Sequence, residues 1–294
     1  MRSLLCLCAL AACATPPSDP LLPAPRTVSA PEPSWVSERV ATAHAHLDAS
    51  EGGKLLRKAI DAHGGLGAWL SPGTVQFDFH YLPEGKPERL MYTRNQLDTW
   101  SVRAAQTELG PAADATLGWD GQSAWVSPGP EAFPSPARFW ATTPYYFVGI
   151  PFVLADPGTH YQLEGSFHLV DPAGGSVDTV AVRVTYEPGT GEAPDDFYVV
   201  HLDPSTFRLV ALRYIVTSPT IHPDGGRGSE TILFYRDLQP TDGGPVVARH
   251  YDGFFWRDGA AGERKSTVEI TNVSLGAPIA MDAFSPPLPS GRAD

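Results

Sequence analysis

The chain has 294 residues, a formal net charge of −12 and 10% aromatic residues. That acidity argues against nucleic acid or anionic lipid surfaces as partners, because both recruit basic protein surface. All three cysteines, Cys6, Cys8 and Cys13, fall within the first 13 residues, so the body has no disulfide framework, thiolate nucleophile or Cys-ligated metal.

Residues 1–12 carry one charge, Arg2, and then an uncharged apolar run from Leu4 to Ala12. This is the layout of a secretory signal, too short to span a bilayer as a mature helix. It ends in Leu10-Ala11-Ala12-Cys13, which resembles the bacterial lipobox. The resemblance implies cleavage before Cys13, a diacylglycerol on its thiol and a third acyl chain on its amine. Such an anchor is held by about 0.8 kcal/mol per buried CH₂. Ala14 rather than Asp follows, which in lipoproteins of Gram-negative type implies the outer membrane, with the body facing the periplasm or the cell surface. Residues 14–33 are dominated by Pro and Ala and predict an extended tether reaching on the order of 50 Å. No later run approaches the ~18 apolar residues of a membrane span.

Residues 34–290 read as a single domain. Ser34–Leu47 places Val36, Val40, Ala43 and Leu47 on one helical face, with Ser34 as N-cap. A second helix is capped by Ser50, has Leu55, Ala59 and Ile60 as its apolar stripe and ends at Gly64-Gly65. From Thr74 the period becomes two: Val75, Phe77, Phe79 and Tyr81 share one face of a strand, and Gln76, Asp78 and His80 a wet one. A second strand near 88–94 and a third containing Trp100, Val102 and Ala104 follow. Thr116–Trp119 and Ser123–Val126 then flank Asp120-Gly121, a pair suited to a two-residue I′ turn.

Seven of the 22 residues from Phe133 to Leu154 are aromatic and none is Asp or Glu. Pro144 and Pro151 predict short helical turns joined at the prolines, a bent apolar lid over residues 133–155. Strands resume afterwards: 161–170, 178–186, 197–202, 207–216, 231–238, 246–255 and 266–275. Those at 207–216 and 231–238 are apolar on both faces and predict a strand held between two core layers or lining a dry cavity. The stretch between them, 218–228, predicts a mobile surface loop. The fold class is mainly β (α+β), a strongly curved antiparallel sheet forming a half-open barrel, with N-terminal helices and a central helical flap covering its concave side.

Several of these features together resemble the LolA/LolB/RseB-like superfamily of bacterial envelope proteins. They are the lipobox, Ala62-His63-Gly64-Gly65 before a Trp and a Val-x-Phe-x-Phe strand, the Trp119-Asp120-Gly121…Trp125 hairpin, residues 151–158, and the Leu202-Asp203-Pro204-x-Thr206 turn. The resemblance implies a half-open barrel whose apolar hollow holds acyl chains or another protein's lipid moiety. Phe139, Trp140, Tyr145, Tyr146, Phe147 and Phe152 would then line the lid, and Phe77, Phe79, Trp100 and Val102 the wall. No residue matches the lid-locking arginine of the soluble lipid carrier, so the expectation is set at hydrophobic-ligand binding, in envelope lipid or lipoprotein trafficking.

No nucleophile elbow, His-Glu-x-x-His or phosphate-binding loop occurs. The His44-x-His46 pair falls on a helix and predicts surface positions. His201 with Asp203, and His250 with Asp252, stand at strand spacing i, i+2 and are the candidates for a base or metal ligand; turn capping by the two aspartates is the competing reading. The sequence therefore predicts a non-enzymatic lipoprotein without cofactor or metal, anchored at Cys13, whose partner is an acyl chain or similar apolar ligand. Two alternatives stand beside it: a filled barrel docking an envelope protein, and an enzyme built on a His/Asp pair.

Overall fold

The structure, a computed structural model, describes residues 26–97, 103–108, 115–133, 135–188, 190, 193, 195–287 and 291–292. Cys13, most of the expected tether, Trp100 and Val102 lie outside the described residues. Three helices come first: α1 (Pro33–Leu47), α2 (Glu51–Ala62) and α3 (Leu66–Leu70). Glu32 rather than Ser34 occupies the N-cap of α1, because Pro33 enters the first turn, where its missing N–H costs nothing. Ser50 caps α2 by accepting a bond from the Gly53 amide at 3.0 Å. Its fully buried stripe is Leu56, Ala59 and Ile60, with Leu55 half-buried beside it. Gly52 and Gly53 explain how α2 lies so close to its neighbours. A Cβ at 53 would stand 2.0 Å from the Leu47 carbonyl oxygen, and one at 52 would stand 3.0 Å from the backbone of Gln162 and Leu163.

The strands are β1 (Thr74–Pro83), β2 (Arg89–Gln96), β3 (Arg103–Glu108), β4 (Thr116–Trp119), β5 (Ala124–Ser127), β6 (Thr159–Val170), β7 (Ser176–Tyr186), β8 (Tyr198–Leu202), β9 (Leu209–Tyr214), β10 (Thr231–Pro240), β11 (Val246–Arg257), β12 (Ala260–Leu275) and β13 (Gly291–Arg292). They form one open antiparallel sheet in the order β13-β5-β4-β3-β2-β1-β12-β11-β10-β9-β8-β7-β6. Two meanders, β1–β5 and β6–β12, are thus zipped together where β1 pairs with β12. Because β5 stands near one edge and β6 is the other edge, the segment between them has to cross the whole concave face. That segment is the aromatic stretch.

It crosses as α4 (Ala137–Val148), a turn and a 3₁₀ turn at Phe152–Ala155. The expected break at Pro144 does not occur: Pro144 is buried inside a continuous helix. Its cost is one lost helical hydrogen bond and some crowding, which burial of Tyr145, Phe147 and Val148 on the same turn offsets. Ala137 and Ala141 join Met91, Leu117 and Val126 in a small core over β2–β5, while Tyr145, Phe147, Val148, Phe152 and Leu154 enter the main core with α1–α3. Trp69 stacks on Phe152 at 4.8 Å with the rings 6° apart, fixing the end of the crossing against α3.

Other local readings shift by physical detail. The β4–β5 loop has four residues, since Trp119 pairs with Ala124 and the Asp120 carboxylate accepts the amides of Gln122 and Ser123. Gln76 is buried rather than wet, its amide donating to the Ala277 carbonyl at 3.1 Å. β9 and β10 do lie between two apolar layers, with Leu212 and Leu233 in the main core and Ala211, Ile232 and Phe234 in a cluster on the convex side. At the chain's start, Thr27 bridges Ala280 and Val28 donates to the Ile279 carbonyl at 2.8 Å, so the ordered body takes in the last residues of the expected tether. Among the described residues no helix is long and apolar enough to cross a membrane.

Candidate functional site

Between α4 and the concave sheet lies a cavity of about 930 Å³, near the top of the ~300–1,000 Å³ range of small-molecule sites. Its roof is α4, through Phe139, Trp140, Tyr145, Tyr146 and Phe147. Its wall includes Phe79 and Tyr81 of β1, and Tyr186, Tyr198, Tyr214 and Tyr251 of β7, β8, β9 and β11. Phe77 and Phe152 are not on its surface. Phe77 is fully buried against the helices and Phe152 is covered by Trp69, so both belong to the packed layer beneath.

The wall is a tyrosine surface more than a plain hydrocarbon one. Tyr198 stacks on Tyr214 at 6.1 Å and meets Tyr146 at 5.5 Å. Tyr146 and Tyr186 share a hydroxyl–hydroxyl hydrogen bond, and the Tyr235 hydroxyl donates to the Phe147 carbonyl at 3.1 Å. The Tyr251 hydroxyl is buried with no partner among the described residues. Burial, foremost, raises the pKa of Tyr198, Tyr235 and Tyr251 well above the ordinary phenol value, with neighbouring tyrosines adding to the rise. These groups therefore act as neutral donors and acceptors over the physiological range.

Two charged groups mark different places in the cavity. Asp156, where the crossing segment meets β6, bonds Arg39 at 2.9 Å. Its side chain keeps 43% of its surface accessible, but that surface lines the cavity, so desolvation pushes its pKa up to about 6 against the pull of Arg39. Lys265 of β12 also lines the cavity and donates to Thr231 Oγ1 at 2.8 Å. The loop at 218–228, expected to be a mobile surface element, is bonded to itself: the Ile221 and His222 amides donate to the Ser218 carbonyl at 3.0 and 2.8 Å. Through Ile221 and His222 it forms part of the cavity rim.

The His/Asp candidates lie elsewhere, outside the cavity lining. His201 is fully buried and faces the convex side, with Nδ1 3.1 Å from Thr179 Oγ1 and its ring against Phe167. Desolvation holds its pKa at about 3. Asp203 turns away and accepts the Ser205 and Thr206 amides at 2.9 and 2.7 Å, a turn cap that lowers its pKa. His250 Nε2 stands 3.4 Å from Asp252, but Asp252 is the hub of a convex ion-pair lattice with Arg236, Arg264 and Thr267. His46 is exposed and bonds the Thr159 carbonyl at 2.6 Å, and His44 is half-buried on the same helix. Among the described residues no group of three or more His, Cys, Asp or Glu side chains is placed to hold a metal ion.

No family model and no curated protein matches the chain. Solved structures do. A putative outer membrane lipoprotein-sorting protein domain from Vibrio parahaemolyticus is 10% identical over 83% of this chain and 97% of its own, with a TM-score of 0.47. A LolA superfamily protein from Nitrosomonas europaea is 11% identical over 76% of this chain and 93% of its own, with a TM-score of 0.45. MucB, solved in complex with MucA(peri), is 13% identical over 83% of this chain and all (100%) of its own, with a TM-score of 0.22. The observed fold, an open antiparallel sheet covered by helices, is the half-open barrel expected from the sequence.

The wall tyrosines Tyr186, Tyr198, Tyr214 and Tyr251 and the rim loop were not candidates by sequence. They are spread over 66 positions and come to one wall only because the β7–β11 meander folds their strands into one region of the sheet. A usable signal existed: each stands on the same inward face as the apolar residues of its own strand.

Proposed function

We propose that this protein is an envelope lipoprotein, anchored through Cys13, that carries an acyl chain or similar apolar ligand in the cavity beneath α4. The observation that carries this reading is the cavity itself: about 930 Å³ of aromatic-walled space left open by a sheet whose remaining concave surface is tightly packed. A fold that needed only to seal its barrel would have filled it, because empty apolar volume forfeits dispersion contacts and costs stability. The chemistry is binding, driven by about 25 cal/mol per Å² of apolar surface withdrawn from water, less the ordering costs. The hydrophobic contents would enter by displacement of α4 or of the 218–228 rim.

The test is native mass spectrometry and lipid extraction of the full chain bearing Cys13→Ala, which removes the protein's own acyl chains from competition. One acyl-chain lipid per protein, or uptake of a fluorescent fatty acid, is expected, and labelled palmitate should be incorporated covalently by the wild type alone. An empty protein that takes up no fatty acid would sink the carrier reading; equal labelling of Cys13→Ala would sink the anchor.

A further inference from the structure

Resting on the carrier reading, we infer that the ligand is an acidic amphiphile, a hydrocarbon tail with a carboxylate or phosphate head, and that Lys265 receives the head. The argument begins with strand register. In the β11–β12 pairing Gly253 faces Ser266 and Phe254 faces Arg264, so Lys265 is skipped, the extra residue of a bulge. A bulge re-aims a side chain, and here Lys265 and its neighbour Ser266 both reach the cavity. Strict alternation would have sent one of them to the convex side.

The ammonium that arrives there has no carboxylate partner among the described residues. Its contacts are Thr231 Oγ1 at 2.8 Å and the faces of Tyr214 and Phe255 at 5.9 and 5.7 Å. Burial and then Lys86 both lower its pKa, with no acid opposing them. The nearest acid in sequence beyond Thr231, Glu230, is turned to Arg213 at 2.7 Å. The acids on the cavity wall are engaged elsewhere, Asp156 with Arg39 and Asp196 with the Thr217 hydroxyl at 2.8 Å. Across the β11–β12 pairing, Val268 stands opposite Tyr251, whose hydroxyl is buried without a partner among the described residues. In a chain of net charge −12, a half-buried lysine facing an apolar cavity without a counter-ion is costly unless an anion completes it. The tail then lies along the aromatic wall beneath α4, toward Asp156.

The experiment compares each acid with its neutral counterpart on the full chain bearing Cys13→Ala: palmitate against methyl palmitate, and hexadecyl phosphate against hexadecanol. The acid should bind at least tenfold more tightly in one pair or both. Lys265→Met should reduce that preference to near unity while holding the neutral ligand as before, and Lys265→Arg should retain it. Retained binding of the neutral ligand shows that Lys265→Met is folded. Neutral ligands bound as tightly as both acids, or an acid preference that survives Lys265→Met, would overturn this inference and leave the carrier reading standing. Failure to bind any of the four would overturn both.

Discussion

The two faces of the sheet are built to opposite rules. On the convex face a set of strong charges is paired: Asp252 with Arg236, Arg264 and Thr267, Asp171 with Arg236 at 2.7 Å, Glu164 with Arg183, and Glu230 with Arg213. Arginines also cover the apolar cluster there, Arg236 lying over Phe234 and Arg264 over Phe254. On the concave face, among the described residues, the Tyr251 hydroxyl has no partner, the Lys265 ammonium has Thr231 but no carboxylate, and about 930 Å³ of space is open. A buried polar group with its partner stabilises the fold, and one without a partner costs free energy that only a ligand can return. One face is constructed to hold and the other to receive. Removing a side chain should therefore have opposite consequences on the two sides.

Acid should act first on the holding side. An unfolded chain protonates His201 below about pH 6.5, whereas the folded protein resists until about 3. Its contribution is thus complete above pH 6.5 and lost as pH falls toward 3. By pH 4 the loss is about 3 kcal/mol at most. His63 acts in the same direction: it is fully buried, with Nδ1 2.9 Å from the Val246 carbonyl and Nε2 accepting the Leu209 amide at 3.1 Å, and desolvation lowers its pKa. Asp156 opposes both, because its raised pKa makes the folded state bind a proton first, between about pH 6 and the ordinary carboxylate range. Urea midpoints measured from pH 7 to 4 should fall, and His201→Leu should flatten the decline. An undiminished decline in that variant would remove His201 as the cause.

The next largest effect is expected at Asp252. Its side chain is only 5% exposed, and Asp252→Ala leaves Arg236 and Arg264 without their shared acceptor. Breaking a buried pair costs about 3–5 kcal/mol; here both arginines stay about one-third exposed, at 32% and 38%, so about 2 kcal/mol is expected. Chemical denaturation would show it, with palmitate affinity of the folded protein unchanged. A loss of affinity equal to the loss of stability would mean that the faces are coupled.

How far this division could be read beforehand depends on the range of the interaction. Alternation in β1 and β7, the Ser50 cap and the Gly-rich turns are local, and the sequence displayed them. The crossing of α4 was not local. A lid was legible from its aromatic content, but its route followed from β5 and β6 standing toward opposite sides of the sheet, which only the closure of β1 on β12 decides. Pro144 looked like a break because its local cost is visible while the burial that offsets it is not. Lys265 was invisible for a related reason: a one-residue bulge reverses which face a side chain takes, and register is not written in composition. The i, i+2 spacing of His201 and Asp203 suggested a shared face, but β8 ends at Leu202 and Asp203 turns into the cap of its loop.

The smallest effect is the most discriminating, because its sign is at issue. Tyr251 is 2% exposed and its hydroxyl has no partner among the described residues, whereas its ring packs on Tyr235 at 5.2 Å and on Phe147 at 6.4 Å. Tyr251→Phe keeps the ring and deletes the unmet hydroxyl. In an ordinary core, where a hydroxyl is bonded, that change costs about 1 kcal/mol. Here it should leave the urea midpoint unchanged or raise it by up to about 1 kcal/mol, since the group removed is desolvated without recompense. The same substitution should weaken palmitate binding several-fold and leave methyl palmitate untouched, separating a hydroxyl that waits for a head group from one that merely went unpaired. A fall in stability would mean that the hydroxyl is bonded in solution, and the concave face would then obey the same rule as the convex one.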